Sequence, residues 1–586
     1  MIKIENLSYG FPQKELYLNI SFVLEEGQHC AFIGASGCGK STLTEIIMDP
    51  ERVMFDGELK IDPYCRIGYV SQFIKLNASE EITVFEYIGE EFIKLQKELH
   101  EICSEMETSQ EIDALLEKYQ VALDAFGAMG GDDFESNIRK KLNLANLSNL
   151  ENRKVSELSG GEFKLIQVIR EMLTSPDLLI MDEPDVFLDF ENLNSLRNLI
   201  NAHKGMLLVI THNRYLLNHC FNKVIHLENK EMQEFDGSYV DYNFSLLQRK
   251  IELQELAMAD SDEIERNDVL IEKLRHISSY NSEAARGKAL SARVKVQERL
   301  EARRIKAPFA EIRQPEIQLV AEPVQEDAVA ITVKDYGLAF DEELLTKVNF
   351  EIKSTEKVAL IGANGTGKTT LLREIFQNSH EAIKIHEGTE LLYLSQLQGE
   401  MLDESNTILE EFFEAGLETT QEICDYIGKY GFEEEAVNQK IGLLSGGEKN
   451  LLQLAKISLG TANFLLLDEP TSHLDTYSQI ALEKAIEEYK GGILMISHDF
   501  YSIAACMDFV LIIENKTIRK MSTRKFRKMI YASHFDRDYL AIDQQKKEVE
   551  TKIAIALRDN DFALAKVLCE ELEGLILPNH GAKQQL

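Results

Sequence analysis

The sequence predicts an α/β protein in which one nucleotide-binding domain occurs twice, joined and followed by helical segments. The glycine-rich stretch GASGCGKST, from Gly34, returns as GANGTGKTT from Gly362, 328 residues later. The stretch LSGGE, from Leu158, returns from Leu444, 286 residues later. Motifs that recur in the same order at long spacing indicate a duplicated domain.

An insertion in the first copy explains why the two offsets differ. Gln72 and Gln396, which end comparable apolar stretches, are 324 residues apart, so 38 additional residues lie after Gln72 and before Ser159. Over residues 84–150 the apolar side chains recur at helical spacing, which predicts an added helical subdomain. It is either a surface excursion without a function or an arm that makes contacts.

Composition limits the classes of protein to consider. The chain has 586 residues, 44% of them hydrophobic, and a formal charge of −36. Its eight cysteines form no CxxC pair or ligand-like cluster, which argues against a zinc site, an iron–sulfur centre or a disulfide framework. With no signal segment and no long apolar run, we expect a cytoplasmic protein without a membrane partner. The negative charge confines any nucleic-acid surface to a local basic patch.

Each glycine-rich stretch follows an apolar strand and precedes a helix, which is the context of a phosphate-binding loop. Backbone N–H groups of the loop and the helix N-terminus would hold phosphates, and Lys40 and Lys368 would contact the β- and γ-phosphates. Ser41 and Thr369 are expected to bind Mg²⁺. The candidate ATP-binding residues are Gly34, Ser36, Gly37, Cys38, Gly39, Lys40, Ser41 and Thr42 in the first loop and Gly362, Asn364, Gly365, Thr366, Gly367, Lys368, Thr369 and Thr370 in the second.

Paired carboxylates end a later apolar strand in each copy, in DLLIMDEP and FLLLDEP. Asp182 and Asp468 are positioned to reach Mg²⁺. Glu183 and Glu469 would lie nearer the attacking water, either as a base or as orienting groups. This arrangement predicts hydrolysis of a bound nucleotide.

Polar residues at other strand ends recur in register. Gln72 and Gln396 are candidates for contact with both the metal and the water. His212 and His498 each follow an apolar strand and are candidates for contact with the γ-phosphate. Their recurrence in both copies favours a role in catalysis.

Together these motifs resemble those of the ATP-binding cassette (ABC) ATPase superfamily, in which LSGGE is the signature sequence, and the resemblance covers both halves. It implies that two cassettes pack head to tail within the chain, so that each signature closes over ATP held by the other phosphate loop. Ser159, Gly160 and Gly161 would then face the nucleotide at Lys368, and Ser445, Gly446 and Gly447 the one at Lys40. ATP would join the halves and hydrolysis would release them.

Aromatic residues ahead of each loop are candidates for stacking on adenine. The alignment of the two copies selects Phe11 and Phe340, with Tyr9 and Tyr336 as alternatives.

The two sites differ in sequence. The second copy reads DEPTSHLD, close to the family pattern, whereas the first reads DEPDVFLDF, with Asp185 and Phe187 in place of a threonine and a histidine. The first switch histidine also lacks the acidic neighbour that Asp499 gives to the second. We therefore expect unequal hydrolysis rates.

Two cassettes in one chain without a membrane segment resemble the ABC-F branch, whose members act on ribosomes. Residues 241–308 fit its helical-hairpin linker, and a basic run there contrasts with the acidic chain. The resemblance implies that this linker reaches peptidyl-site tRNA and the peptidyl-transferase centre. Its candidate RNA-binding residues are Arg286, Lys288, Arg293 and Lys295.

The expected organisation is a first cassette at 1–240, the linker at 241–308, a second cassette at 309–534 and a helical C-terminal extension at 535–586. We expect a monomeric ATPase that binds the ribosome near the tRNA exit site and acts on translation or protects the ribosome from an antibiotic. The alternatives are an ATPase of DNA junctions or repair, whose activity branched DNA would stimulate, and the energising subunit of a transporter.

Overall fold

The computed structural model divides the chain into two compact units. One comprises Met1–Asp236 and Arg313–Met529 and contains both copies of the duplicated domain; the other comprises Gly237–Ile312 and Ile530–Leu586. The structure describes residues 2–11, 14–72, 81–106, 112–186, 188–228, 230–252, 255, 271, 295, 315–322, 328–340, 343–534, 539–558 and 561–576.

The first copy is built on a six-stranded sheet with the order β5-β6-β7-β3-β8-β9, in which only β9 runs antiparallel to its neighbour. The apolar runs LLIM and MLLVI form fully buried central strands, as expected for a parallel sheet covered on both faces. A smaller antiparallel sheet, β2-β1-β4, contributes to the same hydrophobic core. The strands are β1 (Ile2–Phe11), β2 (Lys14–Leu24), β3 (His29–Gly34), β4 (Asp56–Ile61), β5 (Ile67–Val70), β6 (Leu178–Asp182), β7 (Met206–Ile210), β8 (Lys223–Glu228) and β9 (Glu231–Asp236).

The second copy repeats this topology strand for strand, with the orders β14-β15-β16-β12-β17-β18 and β11-β10-β13. The repetition confirms the fold class predicted from the duplicated motifs. The strands are β10 (Val329–Ala339), β11 (Glu343–Lys353), β12 (Lys357–Ile361), β13 (Ile383–Ile385), β14 (Leu391–Leu394), β15 (Phe464–Asp468), β16 (Gly492–Ile496), β17 (Phe509–Glu514) and β18 (Thr517–Ser522).

The helices of the first copy include the segment that has no counterpart in the second. Within it, α3 and α4 pack through Ile102, Leu115 and Ala122, and the rings of Phe92 and Phe134 stack at 5.0 Å. The helices are α1 (Lys40–Met48), α2 (Val84–Ile88), α3 (Glu90–Met106), α4 (Ile112–Ala128), α5 (Phe134–Leu144), α6 (Gly160–Leu173), α7 (Phe190–Ala202) and α8 (Arg214–Cys220).

The second copy has shorter helices between its glutamine and its signature stretch. The helices from this copy to the end of the described chain are α9 (Lys368–Gln377), α10 (Ile408–Glu414), α11 (Thr420–Gly428), α12 (Gly446–Ser458), α13 (Thr476–Glu488), α14 (Phe500–Cys506), α15 (Thr523–His534), α16 (Tyr539–Arg558) and α17 (Phe562–Ile576).

The second unit has a small core of its own. Helices α16 and α17 pack on each other and on the helical residues 239–252 through side chains that include Ile251, Val549 and Leu568. Of the candidate RNA-binding residues, Lys295 is helical and exposed, whereas Arg286, Lys288 and Arg293 lie outside the described residues. Among the helices that the structure describes, none is long and apolar enough to cross a bilayer.

Candidate functional site

The two glycine-rich loops join β3 to α1 and β12 to α9, at the carboxyl ends of parallel strands. Lys40 Nζ donates hydrogen bonds to the carbonyl oxygens of Gly34 and Ala35, both at 2.9 Å. Lys368 Nζ makes the same two contacts in the second copy, again at 2.9 Å. Each lysine therefore lies folded into its loop, where its charge can meet phosphate oxygens.

A glycine precedes each of these lysines at a position that a side chain could not occupy. Gly39 and Gly367 cap their helices with φ of 105° and 88°, a left-handed conformation that glycine adopts at little cost. A Cβ at Gly39 would also lie 2.8 Å from the hydroxyl oxygen of buried Tyr17. The loop shape thus depends on glycine.

Two aspartates at the ends of β6 and β15 form the candidate metal sites. Burial raises the pKa of Asp182 and of Asp468 to about 6, and hydrogen bonds from Ser41 and Thr369, respectively, lower it in part. Among the described residues, Oδ1 of each aspartate is buried without a hydrogen-bond partner. A cation would satisfy these oxygens, so the residues fit Mg²⁺.

The remaining ligands of a Mg²⁺ ion at these aspartates would have to come from groups other than carboxylate side chains. No group of three or more histidine, cysteine, aspartate or glutamate side chains that could hold a metal occurs in the described part of the chain. Mg²⁺ commonly binds one or two protein ligands together with phosphate oxygens and water. A site with one carboxylate and one hydroxyl therefore suits a metal that arrives with a nucleotide.

Glu183 lies in a small polar cluster that both copies form. Its Oε2 accepts a hydrogen bond from Gln72 Nε2 at 2.6 Å and lies 3.1 Å from Nδ1 of His473, a residue of the second copy. Burial acts to raise the pKa of Glu183, but the hydrogen bond and charge of His473, with smaller effects from His212 and Lys40, lower it overall. Glu183 is therefore held as a carboxylate.

Glu469 has different surroundings. Its Oε1 lies 3.4 Å from Nε2 of His498, a residue of its own copy. Burial raises its pKa to about 7, against the opposing charge of Lys368. Gln396, the counterpart of Gln72, is exposed and lines a cavity beside Glu469. The two candidate catalytic centres are thus not equivalent.

The switch histidines, His212 buried and His498 half-buried, are uncharged near neutral pH. Burial lowers the pKa of both His212 and His498 to about 4, with Lys40 and Lys368 adding to the respective shifts. A neutral imidazole at a strand end can donate one hydrogen bond to a phosphate oxygen.

Each signature stretch begins a helix with a capping box. Ser159 and Ser445 are the N-caps of α6 and α12, and their hydroxyls accept hydrogen bonds from the backbone N–H of Glu162 and Glu448. A Cβ at Gly447 would collide with Oγ of Ser36 in the first phosphate loop. The second signature therefore lies against the first loop.

The first signature stretch and the second phosphate loop line a cavity of about 810 Å³. Gly160 and Gly161 of the first signature line it together with Lys368 and Thr369 of the second phosphate loop. Phe340, 67% exposed, is also part of the lining, whereas its alternative Tyr336 is fully buried and cannot stack on a base. Phe11, in the first copy, is exposed with its edge against Tyr9.

Two aspartates connect the copies reciprocally. Asp475 caps α13 through Oδ1, which accepts from Ser478 N at 2.8 Å, while its Oδ2 accepts from Ser36 N of the first loop at 3.2 Å. Asp189 caps α7 in the same way, and its Oδ2 accepts from Asn364 N of the second loop at 3.3 Å. Each phosphate loop is thus bonded to the other copy.

Asp189, Asp475 and His473 are not among the site residues predicted from the sequence. The LD pair at the end of DEPDVFLD and DEPTSHLD recurs at the same offset as the carboxylates, and this repetition could have identified Asp189 and Asp475. Nothing in the sequence pairs His473 with Glu183, because the first copy has phenylalanine at the equivalent position.

Comparisons with known proteins agree with the duplicated architecture. The sequence profile of the ABC transporter family matches residues 17–186 and 345–472. The chain is 30% identical to ABC transporter F family member 2 of Arabidopsis thaliana, over 87% of this chain and 76% of that protein. It is also 30% identical to the energy-dependent translational throttle protein EttA of Escherichia coli O6:H1, over 83% of this chain and 87% of that protein.

A solved structure shares the arrangement at lower sequence similarity. The archaeal ribosome recycling factor aABCE1, in complex with the ribosomal stalk protein aP1, aligns with a TM-score of 0.52 and 17% identity over 91% of this chain and 92% of that chain. The likeness supports the fold.

Proposed function

Since the chain belongs to the F family of ATP-binding cassette proteins and is an ATPase, we propose that it is a translation factor that closes on ATP while bound to the ribosome near the tRNA exit site. In this proposal its linker acts on peptidyl-tRNA or at the peptidyl-transferase centre, and hydrolysis releases the protein. This closure of the two copies on ATP is supported by the hydrogen bonds that Asp189 and Asp475 each accept from the phosphate loop of the opposite copy.

Binding of ATP at each site would use groups from both copies. Lys40 and Lys368 would exchange carbonyl partners for phosphate oxygens, and the opposite signature helix would direct its N-terminal N–H groups at the γ-phosphate. Because these donors belong to different copies, bound ATP would stabilise the closed arrangement.

Hydrolysis requires a positioned water and neutralised phosphate charge. Glu183 and Glu469 would orient or deprotonate the water, and His212 and His498 would each donate to the γ-phosphate. Ser41 and Asp182, with Gln72, would hold Mg²⁺ in the first site, and Thr369 and Asp468, with Gln396, would hold it in the second. The metal would neutralise phosphate charge.

The ribosome as partner is supported by similarity and by charge. The relative from Escherichia coli is named as a translational throttle, and this chain covers 87% of its length. The run RGKALSARVKVQERLEARRIK concentrates positive charge within a chain of formal charge −36, which suits contact with RNA phosphates.

The test uses a variant that closes but does not hydrolyse. The double variant Glu183→Gln, Glu469→Gln should sediment with ribosomes in the presence of ATP and remain free of them with ADP. Replacement of Arg286, Lys288, Arg293 and Lys295 by glutamine in that variant should leave ribosome binding but abolish its effect on peptide-bond formation. A double variant that sediments free of ribosomes with ATP, or whose parent ATPase responds to branched DNA instead, would refute the proposal.

A growth assay distinguishes a factor that protects the ribosome from an antibiotic from a housekeeping translation factor. A protein that protects the ribosome from a drug should raise the tolerated drug concentration when expressed, and a housekeeping factor should not. The ribosome-bound map of the double variant would identify which site the linker reaches.

A further inference from the structure

A histidine from the second copy enters the catalytic centre of the first. His473 Nδ1 lies 3.1 Å from Glu183 Oε2, and Gln72 Nε2 lies 2.6 Å from the same oxygen. A carboxylate oxygen can only accept, so Nδ1 carries the hydrogen and donates it. Among the described residues, both side-chain contacts to the Glu183 carboxylate go to Oε2, so Oε1 is the oxygen that could orient a water molecule.

The position of His473 is fixed by contacts with the first phosphate loop and with its own signature stretch. Its carbonyl oxygen accepts a hydrogen bond from Ser36 Oγ of the first phosphate loop at 3.4 Å. Its ring packs on Gly446 of the second signature, where a Cβ would lie 3.4 Å from the ring. The side chains of His473 and Glu183 are only 21% and 17% exposed. The contact therefore exists only while the second copy lies against the first loop.

The second site lacks the residue type that makes this contact. The position equivalent to His473 in the first copy is Phe187, whose side chain has no hydrogen-bond donor and which lies outside the described residues. Glu469 instead has His498 of its own copy nearby, at 3.4 Å. Among the residues that the structure describes, a side-chain donor from the opposite copy thus contacts Glu183 but not Glu469.

We infer that His473 is a positioning residue that the second cassette supplies to Glu183, so that the orientation of the Glu183 carboxylate, unlike that of Glu469, depends on a side chain of the opposite copy. The inference rests on the proposed role of Glu183 in orienting the attacking water. With Oε2 held by Gln72 and His473, the carboxylate keeps one orientation; when the second copy moves away, one of these two bonds is lost and the water loses its alignment. The second site has no such dependence on a donated side chain.

Two substitutions separate the hydrogen bond from simple packing. His473→Phe keeps a ring of similar volume and introduces the residue type of the first copy, but it removes the donor. His473→Asn keeps an N–H near the position of Nδ1 and removes the ring. Both are made in the Glu469→Gln background, so that turnover reports on the first site, and kcat and KM for ATP are measured.

A positioning role predicts that His473→Phe lowers kcat roughly 10- to 100-fold with KM nearly unchanged, while His473→Asn stays within about threefold of its parent. The opposite ranking, with phenylalanine active and asparagine inactive, would show that only packing on Gly446 matters and would overturn the inference. A rise in KM at constant kcat would overturn it as well, because it would indicate a role in binding alone.

The role of Glu183 is tested separately in the same background. Glu183→Gln should abolish turnover. If turnover persists, the assignment of Glu183 fails, and the inference fails with it; if it is abolished while His473→Phe has no effect, the inference alone fails.

Discussion

The guanidinium of Arg214, in the first cassette, is paired with the carboxylate of Glu483 in the second, and their side chains are only 15% and 13% exposed. Arg214 also donates to Oδ2 of Asp499 at 2.8 Å. Burial acts to raise the pKa of Asp499, but the charge and hydrogen bonds of Arg214 lower it overall. Arg214 and Asp499 also line the cavity between the first signature and the second phosphate loop, so this contact joins the cassettes beside the second site.

Replacing Arg214 by alanine should destabilise the protein strongly. The substitution leaves the largely buried carboxylates of Glu483 and Asp499 without their cation, and the loss of one partner of a buried pair costs about 3 kcal/mol or more. We expect the free energy of unfolding in urea, followed by circular dichroism, to fall by about this amount.

Arg197 provides the matched control, because it occupies the position equivalent to Glu483. Its Nη1 donates to the hydroxyl of Tyr215 in its own cassette, a neutral partner, at 2.7 Å. Arg197→Ala should therefore cost clearly less than Arg214→Ala. Equal losses would contradict the assigned energy of the contact between the cassettes.

Asp475 combines two roles that substitution can separate. In Asp475→Asn the new side chain would keep an oxygen to cap α13 but would present an amide N–H to Ser36 N. This variant should therefore retain stability while it weakens turnover at the first site. Asp475→Ala removes the cap as well and should cost about 1 kcal/mol. Urea unfolding and the ATPase rate in the Glu469→Gln background check both effects.

Asp189 is the corresponding residue for the other site. Asp189→Asn should lower turnover in the Glu183→Gln background, where the second site reports. If Asp475→Asn had full activity at the first site, its bond to the phosphate loop would not contribute to closure.

Much of this architecture is readable from repetition in the sequence. Glycine loops, strand-end carboxylates and signature helices are local features, and each depends on a short stretch whose spacing the second copy repeats. A contact that occurs only once, without a counterpart in the other copy, cannot be recognised from this repetition. Arg214 pairs with Glu483, but the equivalent residues are Phe500 and Arg197, so the duplication contains no trace of the pair. Side-chain contacts between the copies, such as that of His473 with Glu183, depend on how the two domains pack and leave no pattern in the sequence.

Lys164 links the first signature helix to the loop that carries Gln72. Its side chain is fully buried, and its Nζ donates to the carbonyl oxygens of Ser71 and, at 3.2 Å, Gln72. Burial lowers its pKa to about 8, opposed by Asp185 and Asp182. Lys164→Met keeps the stem but removes the donor to both carbonyl oxygens, so it should destabilise by about 1–3 kcal/mol. It should also reduce turnover in the Glu469→Gln background, because Gln72 loses its support.

Asn450 is the equivalent residue of the second cassette, and its Nδ2 donates to the carbonyl oxygens of Pro470 and Ser472. Asn450→Leu should destabilise in a similar way, but it removes support from the stretch next to His473 and not from Gln72. If Lys164→Met kept the first-site turnover of its parent at a temperature where both proteins are fully folded, Lys164 would act only through folding.

His203 should make the stability of the first cassette depend on pH. Burial, with the nearby His29 and Lys141, lowers its pKa from 6.5 to about 4. The unfolded chain therefore binds a proton at a higher pH than the folded chain, so stability is lost as the pH falls from about 6.5 towards 4. His203→Gln removes this titration. The urea midpoint of the variant should therefore decline less between pH 7 and pH 5 than the midpoint of the parent, and the difference should correspond to the protonation of one histidine. His29→Gln is the matched variant, since burial lowers the pKa of His29 too, and it should flatten the same range. If the urea midpoints of the parent and of both variants declined equally, other titratable groups would control the loss of stability at acidic pH.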